Sequence, residues 1–302
     1  MIDVERARQT IEGRVHRTPM LTSAALGARL KAELFQKTGS HKIRGALNCI
    51  ASLTPEQRER GVVTWSAGNH AQAVAYAAAL EGVDCLAMMW AGASPLKAEA
   101  TGGYGATVDV EASDPANAYD RAVDVAEREG RFFVHPHDDP HVIAGNGTLA
   151  LEILEDVPAV STVVVGVGGG GLVSGIVTAL DGRARVVAVE PEQAQAFKAG
   201  LDAGHSVPVE TNTIADGLAP PFAGDLALQI CAGRVESVLV TEDEIAEGMR
   251  FLYARAKLAC EPAGAAAAAA VLAGKVAAGD DVVVVVSGGN VLAQQAAAIL
   301  AS

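Results

Sequence analysis

The apolar positions of this chain fall into two alternating patterns from residue 62 onward. Short apolar runs at 62–65, 85–89, 107–110 and 132–134 read as strands. Between them, apolar residues recur at helical spacing over 71–80, around 95–101 and over 115–128. This βαβαβα order predicts a parallel sheet with helices on both faces. A second series starts near residue 143, with helices over 147–154, 172–180, 242–257 and 263–273 and strands over 162–167, 186–190 and 282–286. The expected fold class is therefore α/β, with two open, mostly parallel sheets. The division falls near residues 136–140, giving a larger unit of 1–50 with 140–302 and a smaller unit of 51–139. Residues 1–17 carry the pattern of an amphipathic helix, and 205–225 has no period and reads as a long functional loop.

Half of the 302 residues are apolar and few are aromatic, while glycine is abundant, which suits layers packed at close backbone distances. The net charge of −13 argues against nucleic acid or an anionic membrane as partner. The four cysteines are far apart with no CxxC pair and read as reduced, buried side chains. The first residues lack a signal-peptide core, and the longest apolar run, 263–274, is too short to span a bilayer. A cytoplasmic protein is expected.

Three constellations bear on chemistry, and a lysine sits beside them. Lys42 lies in Lys37-Thr38-Gly39-Ser40-His41-Lys42-Ile43-Arg44-Gly45-Ala46, where Ser40 is the expected N-cap of a helix running through Ile43, Leu47 and Ile50. A helix N-terminus disfavours a cation, and a neutral amine is a Schiff-base nucleophile. The strand 162–167 runs into Gly168, Gly169, Gly170 and Gly171 and then a helix, an arrangement that suits a phosphate. The same stretch, 166–171, satisfies GxGxxG, with Glu190 at the end of the next strand, so a dinucleotide site is the rival. Ser66-Ala67-Gly68-Asn69-His70 follows a strand and could hold a carboxylate; capping accounts for Ser66 but not for Gly68-Asn69-His70. Ser287 leaves a strand of five valines, followed by Gly288-Gly289-Asn290, and would either cap a helix or meet a flat ligand edge-on.

These motifs resemble the fold-type II pyridoxal phosphate (PLP) enzymes of the tryptophan synthase β family, and within it the threonine/serine dehydratases and serine racemases. The resemblance rests on KTGS-x-KIRGA, SAGNHAQ, the four glycines and SGGN, with weaker echoes along most of the chain. It implies that Lys42 holds PLP and acts as base at the substrate Cα. It further implies that Asn69 meets the ring 3′-oxygen, Gly168–Gly171 hold the phosphate, and Ser287 faces the pyridine nitrogen. Ser66, Gly68, Asn69 and His70 would hold the substrate carboxylate. The implied reaction is β-elimination from L-threonine or L-serine, giving a 2-oxo acid and ammonia. Serine racemase and 3-hydroxyaspartate dehydratase are the alternatives; a dehydrogenase and a binding module without turnover are more remote. A homodimer or homotetramer is expected from relatives.

Departures from the family pattern narrow the reading. Ala67 stands where serine racemases carry the serine that protonates Cα from the face opposite the lysine, which disfavours racemisation. Glu190 and Ala194 match a cation site of relatives, but Ala196 replaces its aspartate. His41 replaces the usual phenylalanine before the lysine, and Pro220 a substrate-side serine. The cluster His135-Pro136-His137-Asp138-Asp139-Pro140-His141 has metal-binding residue types, although relatives keep its first two residues without needing a metal. The chain ends twelve residues after Asn290, so no feedback-regulatory C-terminal domain is expected.

Overall fold

The computed structural model describes residues 2–302. Its strands are β1 (Met20–Ser23), β2 (Ala28–Ala32), β3 (Val62–Trp65), β4 (Cys85–Trp90), β5 (Thr107–Ala112), β6 (Phe132–Val134), β7 (Thr162–Gly166), β8 (Arg185–Pro191), β9 (Val235–Val240) and β10 (Val282–Val286). They form a six-stranded sheet in the order β1-β2-β10-β7-β8-β9 and a four-stranded sheet in the order β5-β4-β3-β6. Every pairing is parallel except β1 with β2. The strands of the smaller sheet all lie within 62–134, and those of the larger sheet lie on either side of that stretch.

Burial explains the composition of the larger sheet. β7 and β10 are buried along their whole length and read as unbroken valine runs, because helices cover both faces. The helix Pro262–Leu272 is alanine-rich for a related reason. It is buried on almost every side, and small side chains let its backbone approach the strands and the helix Glu242–Phe251. At Gly264 a Cβ would lie 2.4 Å from the carbonyl oxygen of Gly288, so this helix touches the Ser-Gly-Gly turn itself.

Several boundaries differ from the sequence expectation. The first helix covers only Val4–Ile11, capped by Asp3. The helix expected over 147–154 begins earlier, at Pro140 behind the N-cap Asp139, and runs to Asp156. The α-helix expected over 242–257 ends at Phe251 and continues as a π turn, Leu252–Ala256. The apolar pattern does not announce β1, β2 or β9; charged residues such as Arg29, Lys31 and Glu236 interrupt the last two. The stretch 205–225 is mainly irregular, with a single short turn at Asp216–Leu218.

A buried ionic cluster locks the lysine-bearing helix to the larger sheet. Arg44, on the helix Lys42–Ala51, is 1% exposed and donates to both oxygens of the fully buried Glu33 and to Glu152. Lys31, on β2, donates to Glu152 and to the carbonyl of Thr18. No helix among the described residues is long and apolar enough to cross a membrane.

Candidate active site

Lys42 is the first residue of the helix Lys42–Ala51. Ser40 does not cap that helix. His41 occupies the cap position in helical conformation, and Ser40 instead pairs with Gly288 as an isolated antiparallel bridge. Around that bridge the Gly289 N–H donates to the Gly39 carbonyl at 2.9 Å and the His41 N–H to the Ser287 carbonyl at 3.0 Å. Gly39 has φ 74°, and a Cβ there would meet the Asn290 side chain at 2.3 Å, so only glycine fits. The lysine segment and the Ser-Gly-Gly turn after β10 are thus stitched into one unit.

This stitching accounts for His41. Its Nδ1 lies 3.3 Å from the Ser287 carbonyl, which can only accept, so the ring donates there. Burial, with the charge of Lys42, pushes its pKa down to about 3. A neutral imidazole therefore braces the backbone at Ser287. Ser287 caps no helix, because the next one, Ala293–Ala301, starts six residues later.

The Lys42 amine donates to the Pro136 carbonyl at 2.9 Å. Burial lowers its pKa to about 8, opposed by the nearby Glu261. Desolvation, more than the helix terminus, is the cause. At pH 7 about a tenth of such an amine is neutral, against roughly one part in 3,000 for an ordinary lysine. The rate at which the apoprotein captures PLP should therefore climb with pH, pass half-maximum near 8 and level off about one unit above it. A stopped-flow absorbance series tests this; a climb continuing to pH 10 would mean an unshifted lysine.

β7 neighbours β10, so the glycines after Gly166 emerge beside Ser287 at the carboxyl edge of the parallel strands. Gly170, at φ 96°, caps the helix Gly171–Leu180, whose first N–H groups lack helical partners. It alone of the four needs positive φ. The others are glycine because of close packing. A Cβ at Gly169 would lie 2.2 Å from the His137 ring, one at Gly171 2.8 Å from the His137 backbone, and one at Gly168 3.0 Å from Pro220. The result is a backbone-walled cradle at a helix N-terminus, suited to an anion.

Ser66 follows β3, and its hydroxyl accepts from the Gly68 N–H at 3.1 Å rather than capping the helix Asn69–Glu81. Gly68 is that helix's N-cap. The Asn69 amide donates to Glu261 and accepts from Asn290, each at 2.7 Å, which fixes which end is nitrogen and leaves one N–H free. The two partners sit on the larger sheet's side, so Asn69 also ties the two sheets together. Burial, with Asp216 nearby, pushes Glu261 up to about 8. His70 lies with Nε2 3.1 Å from the Val134 carbonyl, so that nitrogen carries the proton. Burial holds the ring neutral, and its buried Nδ1 has no partner. That side chain offers a lone pair and cannot donate to a carboxylate, contrary to the simplest expectation; the His70 main-chain N–H at the helix start can.

These groups surround one cavity of about 360 Å³ lined by Lys42, Ser66–His70, Gly168–Gly171 and Ser287. Ala67 lines it too. Residues 216–221 line it as well, with a Lys97–Asp216 ion pair beside them and Phe222 stacked on Trp65, centroids 6.0 Å apart. The SGGN motif contains Asn290 but gives it no role, and no local pattern marks Lys97 or Phe222; what Asn290 and Glu261 do for Asn69 is visible only in three dimensions.

Glu190 and Ala194 are not among the residues lining this cavity. Both Glu190 oxygens accept backbone N–H groups, from Phe197 and Lys198 at 2.8 Å, at the start of the helix Ala196–Ala203. Burial pushes its carboxyl up to about 8. It is a satisfied strand-end carboxylate, turned away from the ribose role that a dinucleotide site requires. Among the described residues no three His, Cys, Asp or Glu side chains are grouped to hold a metal. His135 instead uses Nδ1 to accept from the N–H groups of His137 and Asp138.

A primary amine of lowered pKa in a partly open cavity that an anion cradle also lines defines an enzyme that works through a carbonyl cofactor bearing an anionic group. The fit to PLP is good. The cradle's glycines line the cavity at a helix N-terminus, Asn69 has a free amide hydrogen, and the lining residues His70 and His137 each keep a ring nitrogen without a partner. A model of the family described as pyridoxal-phosphate dependent enzyme matches residues 11–288, so the chain belongs to that family. It is 44% identical to the L-threonine ammonia-lyase of Thermotoga maritima over 87% of this chain and 68% of the relative. It is 40% identical to the catabolic L-threonine dehydratase of Escherichia coli K12, covering 87% and 83%. Among solved structures, maize serine racemase superposes with a TM-score of 0.91 at 35% identity, covering 96% and 93%. A threonine deaminase from T.th. gives 0.89 at 37%, covering 96% and 98%.

Proposed function

We propose that the chain is a PLP-dependent ammonia-lyase acting on L-threonine or L-serine. One observation carries the reading: the Lys42 amine, lowered to about 8, shares one cavity with a glycine anion cradle and with Ser287. PLP, when bound, supplies an electron sink that acidifies the substrate Cα–H. Lys42 anchors the cofactor and takes the Cα proton. Gly168–Gly171 hold the phosphate by main-chain N–H groups. Asn69, oriented by Glu261 and Asn290, directs its free amide hydrogen to the ring's 3′-oxygen. Ser287, braced by His41, faces the ring nitrogen. A hydroxyl there does not enforce a protonated ring, which favours prompt loss of the β-hydroxyl. Ser66, Gly68, Asn69 and the His70 N–H receive the substrate carboxylate at the start of the helix Asn69–Glu81. The smaller unit, 51–139, closes over the substrate and excludes water, with the Lys97–Asp216 pair and the Trp65–Phe222 stack as its fastenings.

Identity of 40–44% to threonine ammonia-lyases supports elimination. Racemisation is secondary, because Ala67 presents a methyl group where the second proton donor would stand. A panel of L-threonine, L-serine, D-serine and threo-3-hydroxyaspartate, read for 2-oxo acid and for the chirality of the remaining substrate, tests this. Substantial D-serine from L-serine would overturn it. Ala67→Ser is expected to introduce measurable D-serine formation while elimination stays within about tenfold.

We assign no step to a divalent cation. Glu190 already serves two backbone donors, and the Ala196 side chain brings no oxygen. A homodimer or homotetramer in the cytoplasm is proposed on the resemblance alone.

A further inference from the structure

Four imidazoles cluster near Lys42, and three of them hydrogen-bond to protein groups through one ring nitrogen, His70 keeping a buried Nδ1 without a partner. His41 donates to Ser287, His70 donates to Val134, and His135 accepts from two backbone N–H groups. His137 differs. It is 4% exposed and lines the cavity, and its buried Nε2 has no hydrogen-bond partner. Nothing bonds to its Nδ1 either among the described residues, and a buried polar group left without a partner is costly unless a ligand completes it. Its place in the site is well defined. The preceding residue, Pro136, holds the Lys42 amine through its carbonyl. Its ring lies against Gly169, close enough that a Cβ there would overlap Cγ, Nδ1 and Cδ2. The Phe222 and His135 rings hold it edge-on, with centroids 6.1 and 4.6 Å away.

Resting on the PLP reading above, we propose that His137 is a fifth element of the anion cradle, donating a ring N–H to the phosphate that the four glycines hold. Burial keeps the ring neutral, helped by the neighbouring His135 and Lys42. A neutral imidazole carries one N–H and adds no charge that would oppose the lysine. It therefore contributes a directed donor in a wall otherwise made of backbone. The closeness of Gly169 is then functional as well as steric: glycine there lets the imidazole reach the same anion as the loop.

The test compares PLP with pyridoxal, which has the aldehyde but no phosphate. Apoprotein of the full chain is titrated with each and followed by visible absorbance, for the wild type, His137→Phe and His137→Asn. Phe keeps the ring volume without a donor; Asn keeps a donor. The expected result is about a tenfold or greater loss of PLP affinity in His137→Phe, little change for pyridoxal, and partial recovery in His137→Asn. Equal losses for both ligands, no loss for either, or a change confined to amino-acid KM would overturn the proposal. The unaltered holoenzyme gives a second readout. With nitrogen-15 histidine, one imidazole N–H should be protected from exchange with PLP bound and lose that protection with pyridoxal; its absence would also overturn the proposal, even if His137→Phe does not fold. A wild type that shows no Lys42-dependent absorbance with PLP sinks the functional reading itself, which is a separate outcome.

Discussion

Lys42→Ala should abolish 2-oxo acid formation, with kcat lowered by about 10³-fold or more. Two roles disappear together: the covalent anchor of the cofactor and the base at Cα. No other group replaces the amine. The imidazoles around it are neutral and mostly committed, and Glu261 is engaged by Asn69. The fold should survive, since the buried contacts of this helix come from Ile43, Arg44, Leu47 and Ile50. Treating the wild-type holoenzyme with borohydride should bleach the cofactor absorbance and leave a label on Lys42 in peptide mapping. The variant should show neither. A Lys42→Ala protein that still made 2-oxo acid at about a tenth of the wild-type rate would dismiss this lysine from the chemistry. A colourless wild type with no turnover would instead favour a binding module.

The parts of this site written locally in the chain are legible in it. Lys42, the glycines 168–171, Asn69 and Ser287 each follow a strand or open a helix, so period and punctuation place them, while their roles come from the family resemblance. The α/β class is legible because fully buried strands such as β7 and β10 leave valine runs. What the sequence hides is everything set by cross-chain pairing. Ser40 has the residue type of an N-cap, yet its bridge to Gly288 takes precedence, since two backbone segments gain hydrogen bonds there. Glu261 and Asn290 orient Asn69 across 192 and 221 residues of chain, and no local pattern announces that. β2 escapes the apolar pattern because Lys31 and Arg29 interrupt its run; Lys31 is nonetheless buried, paired with Glu152. Local pattern accounts for the glycines as a phosphate feature alone, while the structure adds a packing reason at all four, with positive φ besides at Gly170. The dinucleotide reading fails on Glu190, which does end its strand but whose oxygens serve a helix start instead of a ribose.

The largest stability effect is expected two residues beyond the lysine. Arg44 donates from Nε and Nη2 to the two oxygens of Glu33, both at 2.8 Å, and from Nη1 and Nη2 to Glu152 at 2.7 and 3.0 Å. Burial alone would push Glu33 up, but Arg44 with Thr18 and Lys31 holds its carboxyl below the usual range. Arg44→Met keeps an apolar stem and strands Glu33, a carboxylate with no exposed surface. Breaking one partner out of such a buried pair costs about 3–5 kcal/mol, far more than the loss of a surface ion pair. Urea unfolding should show this loss at pH 7. The pH dependence identifies the cause. In the wild type, Glu33 has a depressed pKa, so its contribution is present above the unfolded carboxyl value and lost as pH falls through the folded one. Without Arg44 the sign reverses, because the stranded carboxyl favours its neutral form and unfolding at neutral pH relieves it. The gap between wild type and variant should therefore narrow steadily as pH falls towards about 4. Adding Glu33→Gln to Arg44→Met should recover part of the loss at pH 7, since it removes the stranded charge. A gap that stays constant with pH, and no recovery in the double variant, would attribute the loss to packing and not to the ion cluster that fastens the Lys42 helix to β2.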